Sequence, residues 1–118
     1  MSIKEALNTR LSTLAGGRVY ANEAPQKATS PYVVWTTVAE RRVRSLTGFS
    51  GTTRSWFQVS CYADSKAAVE ELADQVVNQV EPWQSAQVQA AWVDNATDGK
   101  EQDYPYHVHL DIIVVHHY

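Results

Sequence analysis

Apolar residues recur at two different periods along this 118-residue chain. Ile3, Leu7, Leu11 and Leu14 follow one another at helical spacing, so they line one face of a helix. Ser2, with Glu5 three residues on, is the signature of a capped helix start, and Gly16-Gly17 stops the run. A second stripe, Val69, Leu72, Ala73, Val76, Val77 and Val80, follows a cap at Asp64 or Ser65 and ends before Pro82. Each pattern predicts an amphipathic helix with an apolar face that needs a surface to cover.

Elsewhere the period is two. Arg18 to Tyr20 predicts a short strand, and Asn22 to Pro31, polar and twice interrupted by proline, predicts a surface loop. Tyr32 to Arg44 and Thr52 to Ala63 are rich in Val, Thr, Tyr and Trp, and the Gly48/Gly51 segment joins them into a long β-hairpin. In the second arm Phe57, Val59, Cys61 and Ala63 share the core face, while Trp56, Gln58, Ser60 and Tyr62 share the other. Val88 to Val93 and Tyr106 to His116 predict two more strands, joined by a polar loop from Asp94 to Asp103. Strands in this order are not separated by helices as a doubly wound parallel sheet requires, so the pattern predicts an α+β fold. Its elements are a mostly antiparallel sheet with a long hairpin and two helices packed on one face. The uncovered face would then carry Trp56 and Tyr62, large groups that mark a candidate partner surface.

Composition narrows the picture. A hydrophobic content of 44% in 118 residues is enough for one core, and we read residues 1–118 as a single domain. Net charge is −3 with a pI of about 5.7, which argues against a general nucleic-acid binder. Cys61 stands alone, so no intrachain disulfide is expected and a reducing cytoplasm suits the chain. Lys4, Glu5 and Arg10 interrupt any apolar leader, and no membrane-spanning run is found.

Candidate chemistry centres on "HVHLD" at 107–111, because all four histidines lie within the last twelve residues. In a strand His107, His109 and Asp111 share one face, an arrangement that would suit a small metal-dependent enzyme. Val108, Leu110, Ile112 and Val114 fill the alternate positions, which is also the pattern of an ordinary strand with its polar face in water. Ile112 follows Asp111 where a metallo-β-lactamase-type run would add a further histidine, and His116 and His117 point to opposite faces. Cys61 sits on an apolar face, and Glu70, Glu71 and Asp74 lie opposite the valine stripe. No catalytic, cofactor or metal residue is expected, and the His107/His109/Asp111 enzyme stands as the alternative reading.

The distribution of charge is more informative than its total. Arg41, Arg42, Arg44 and Arg54 gather around the predicted hairpin tip, whereas Asp94, Asp98, Glu101 and Asp103 fill the predicted acidic loop. A basic projection and an acidic loop on one chain are what a head-to-tail contact between identical subunits can use.

"RVYANEAPQKATSPYVVW" at 18–35 and "RSWFQVSCYADSKAAVEELADQV" at 54–76 add a resemblance. Val19-Tyr20, Pro25, Pro31-Tyr32, Arg54, Tyr62 and Ala67-Ala68 occur in an order similar to that of the tail completion proteins of long-tailed bacteriophages. These are also called tail terminator or tail-to-head joining proteins. The resemblance implies a small α+β virion subunit that forms a homo-oligomeric ring, usually a hexamer, on the head-proximal end of the tail tube. It implies a tail tube protein and a head-tail connector protein as partners, assembly in the bacterial host cytoplasm, no membrane, and DNA contact only through a tail lumen. The family offers no catalytic residues to carry over, and the histidine-rich end lies outside the resemblance.

Overall fold

A computed structural model describes residues 2–23, 31–45, 48–100 and 106–117, without the side chains of 43–45, 48–51 and 98–100. Helix α1 (Ile3–Leu11) starts as its sequence requires: Ser2 Oγ accepts the Glu5 N–H at 3.1 Å, and Ile3, Leu7 and Leu11 are buried. The chain turns through a short 3₁₀ segment, Leu14–Gly17, with positive φ at Ala15, Gly16 and Gly17. Glycine adopts that conformation without steric cost, which is why the helix stops there. Strand β1 (Val19–Ala21) follows, then β2 (Tyr32–Ser45), β3 (Gly48–Ala63), helix α2 (Lys66–Val80), β4 (Val88–Lys100) and β5 (Tyr106–His117).

The five strands form one sheet in the order β1-β2-β3-β5-β4, parallel between β1 and β2 and antiparallel at the other three junctions. Helix α2, capped by Ser65 Oγ on the Ala68 N–H at 3.1 Å, lies over β3, β5 and β4. Helix α1 packs beside it and over β1. Arg10 Nε ties the helices together by donating to Gln79 O at 2.8 Å, and Trp35 Nε1 ties the sheet to α1 by donating to Asn8 Oδ1 at 2.9 Å. The core is the layer between them: Leu7, Leu11, Val69, Leu72, Val76 and Val80 from the helices meet Val33, Phe57, Val59, Leu110, Ile112 and Val114 from the sheet. The architecture is α+β with both helices on one face, as the hydrophobic pattern predicts.

Two boundaries differ from the sequence reading. Gly48 and Gly51 belong to β3 rather than to a turn, and the register slips between Val43 and Arg44. Asp94 to Lys100 is strand rather than loop: β4 stays in register with β5 from Asn95↔Asp111 to Lys100↔Tyr106. The long partner strand supplies backbone hydrogen bonds that a polar sequence alone would not attract, and a bulge between Val93 and Asn95 accommodates the change in pattern.

The molecule is elongated, 52 × 25 × 23 Å. Its long dimension matches the span of about 53 Å expected for sixteen residues at about 3.3 Å each, the length of β3.

A polarised sheet as the candidate interface

Register places the residues singled out above that fall among the described ones. On the face away from the helices, Trp56 is opposite Ile113, which is opposite Trp92. Both tryptophans are half-buried and shield Ile113, only 7% exposed. Six residues along β3, Tyr62 stands between Tyr32 and His107. Tyr32 and Tyr62 stack at 4.8 Å between ring centroids; Tyr20 lies 6.4 Å from Tyr32, and His107 lies 6.2 Å from Tyr62. A half-exposed aromatic row therefore crosses the sheet from β1 to β5. Only Trp56 and Tyr62 were singled out on this surface: Tyr32 joins it through the antiparallel register with β3, and Tyr20 through a parallel pairing of β1 with β2 that no local pattern announces.

His107, His109 and Asp111 do share this face, with ring centroids of His107 and His109 4.5 Å apart. Their polar atoms turn to different neighbours. Ser60 Oγ lies 2.7 Å from His109 Nδ1, and Asn95 Nδ2 donates to Asp111 Oδ2 at 3.5 Å. Among the described residues no three His, Cys, Asp or Glu side chains converge as a metal site requires.

On the opposite face His116 continues the parity of Val108 to Val114 and is buried, with Nε2 2.7 Å from Ser55 Oγ and Nδ1 3.1 Å from His117 O. The Ser–His pair has no acid on it among the described hydrogen bonds and is only 0% and 4% exposed, so it reads as packing rather than catalysis. Burial pushes the Cys61 thiol up to about 12, which removes the thiolate at neutral pH.

The arginines do not all sit at the tip. Arg41 and Arg54 face each other across β2 and β3, and Arg54 is also paired with Val115 of β5, well inside the sheet. Like charges directly opposite are unfavourable unless something negative lies over them. Arg42 is opposite Thr53 on the other face, and Arg44 is opposite Phe49 in the projecting ribbon, its side chain outside the described residues. Of the acidic set, Asp94 is exposed at the β4 bulge, and Asp98 is opposite Val108 with its side chain outside the described residues. Glu101 and Asp103 lie outside the described residues. Because β5 runs back along β3, the β2–β3 turn and the β4–β5 connection stand at opposite ends of the strands. Arg42 and Arg44 lie toward the first end and Asp98 toward the second.

A profile described as tail completion protein gp17 matches residues 5–117, nearly the whole chain. The chain belongs to the tail completion protein gp17 family. It is a bacteriophage structural protein of the virion tail, the role to which the resemblance pointed. A chain in a solved structure titled "Virion of native gene transfer agent (GTA) particle" shares the fold, with a TM-score of 0.65 over 95% of this chain and 84% of that one. At 16% identity the likeness is one of architecture. No curated protein matches the sequence.

Proposed function

We propose that this chain, acting through residues 1–118 as a single unit, closes head to tail into a ring, a hexamer, at the head-proximal end of the tail tube. The ring stops tube growth and presents a surface to the head-tail connector protein. It works by binding, without catalysis, and assembles in the host cytoplasm before it is carried in the virion. Family membership supports the tail role, and the observation that supports the contact is that Arg41 and Arg42 lie on β2 toward one end of the sheet and Asp98 on β4 toward the other. Such a subunit is complementary to a copy of itself displaced along one direction, which is the condition for a heterologous interface, and closure gives a ring. Arg41, Arg42, Arg44 and Arg54 form the basic half of that contact, and Asp94, Asp98, Glu101 and Asp103 the acidic half. The aromatic face around Trp56 and Tyr62 is left for the tail tube protein.

Light scattering on the purified subunit, alone and with tail tube protein, tests the reading. A mass of six chains in either case is expected, with overlong tails when the protein is withheld from assembly. A subunit that stays monomeric in both settings, with tails of normal length in its absence, would overturn it.

A further inference from the structure

We infer that two copies of the chain join edge to edge: the outer edge of β2 in one copy adds antiparallel to the outer edge of β4 in the next, over the groove between β4 and α2. The inference rests on the head-to-tail reading and names the surfaces that would carry it.

Both edges want a neighbour. Among the described residues strand β1 pairs only with Val33 to Trp35, so β2 from Thr36 onward has β3 as its described strand neighbour, and β4 is the last strand of the sheet. The first half of the β4 edge is occupied by its own chain. Ser85 N–H donates to Val88 O at 3.0 Å, and Val93 N–H donates to Glu81 Oε1 at 3.1 Å. Beyond Val93 the strand runs on to Lys100 as the last in its sheet. An edge of that length is a template for pairing.

Direction, shape and charge agree on a second copy as the occupant. Three antiparallel junctions separate β2 from β4, so they run oppositely, and a copy added in the same orientation brings its β2 antiparallel to β4. On β2 the bulge between Thr37 and Ala39 leaves Val38 64% exposed, the large apolar side chain in water among the described residues. Beside the free part of β4 lies a groove of about 330 Å³, with Val77, Ala96, Val108 and Leu110 in its lining and Glu70 and Asp74 at exposed positions of α2. Arg42 pairs with buried Thr53 and so stands on the helix side of its sheet, the side that would meet those two carboxylates. Glu40 shares that side and Arg41 lies on the other, so the basic group that meets the two carboxylates is Arg42 alone. The β2 segment reaches the free half of β4 only if neighbouring copies are staggered along the strands, and a stagger is what closing a sheet around an axis demands.

Backbone exchange separates strand addition from mere charge contact. On the isolated oligomer, amide hydrogens from Thr36 to Arg42 and from Asp94 to Thr97 should exchange at least tenfold more slowly than in the diluted monomer. Val38→Asp, at an exposed site, should melt like the parent and self-associate at least tenfold more weakly. Glu70→Lys with Asp74→Lys spoils only the groove, so mixing this variant with Val38→Asp should yield one-to-one dimers and nothing larger, since one intact contact remains. An oligomer whose two edges exchange at monomer rates, a Val38→Asp protein that assembles like the parent, or a mixture that forms no dimer would overturn strand addition while leaving the ring. Failure of any oligomer to form, alone or with tail tube protein, would overturn both.

Discussion

Thr53, Ser55 and His116 show how much a single hydroxyl decides when it is buried. Ser55 Oγ and His116 Nε2 satisfy each other at 2.7 Å, whereas Thr53 Oγ1, opposite His116, has no hydrogen-bond partner among the described residues. Removing a partner leaves a buried group unsatisfied, but removing an orphan does not. Ser55→Ala should therefore lower unfolding stability by about 1–3 kcal/mol, and Thr53→Val should be neutral or raise it by about 1 kcal/mol. Urea unfolding of the two variants reads the contrast, and equal losses would mean that the Ser–His contact contributes nothing. Cys61 makes a chemical prediction. With its thiol pushed up to about 12 by burial, native protein should resist alkylation at pH 8 and react on unfolding. The linked stability has a definite sign: folding holds the proton, so the contribution is complete below the ordinary value of 9.0 and is lost as pH rises toward 12. His116 was placed on its strand by the sequence pattern, yet its burial was missed. Its parity with Val108, Leu110, Ile112 and Val114 was the available signal, and polarity argued against using it.

Elements were legible where one face is apolar and the other wet. The α2 stripe is the clearest case: Val69, Leu72, Ala73, Val76 and Val80 are buried, while Glu70, Glu71 and Asp74 are exposed. Leu72→Ala should cost about 2–5 kcal/mol, as buried large-to-small changes do, and Glu71→Ala, at an exposed site, within about 0.5 kcal/mol. Thermal melts giving similar losses for both would contradict the packing of α2 on β3, β5 and β4. Strand ends were less legible because hydrogen bonding to a neighbour, not side-chain pattern, determines them. Asp94-Asn95-Ala96-Thr97 has the composition of a loop and becomes strand because β5 continues beside it. Gly48 and Gly51 read as a turn and are absorbed into a slipped register of β3. The bulge that exposes Val38 is likewise a property of two strands together, so no reading of one of them could find it.

At the scale of the whole molecule, the sequence disclosed two charge clusters without their relation, which depends on how β3 and β5 run past each other. Register puts Arg42 and Asp98 toward opposite ends of the strands, and this gives the charge prediction its direction. Arg42 is exposed and Arg44 belongs to the ribbon beyond Thr52, where β5 has ended, so reversing both should leave folding stability nearly unchanged. Assembly should respond strongly. In a closed ring each copy contributes the contact once, and Arg42→Glu with Arg44→Glu would set like charges together at every junction, so a modest penalty recurs around the ring. The double variant should remain monomeric under conditions in which the parent assembles, and complementation with it should give few tails of normal length. Adding Asp98→Lys and Glu101→Lys should restore part of the assembly, because an interaction between charges survives their exchange whereas one between shapes does not. The restored contacts should weaken as salt rises, more than those of the apolar Val38 contact, since exposed charges are screened within a Debye length of about 10 Å at 0.1 M. A folded double reversal that caps tails at full yield would remove the arginines from the interface. The subunit contact would then rest on the uncharged Val38 edge or on the aromatic face, where Tyr32, Tyr62 and Trp56 offer a surface that charge reversal leaves untouched.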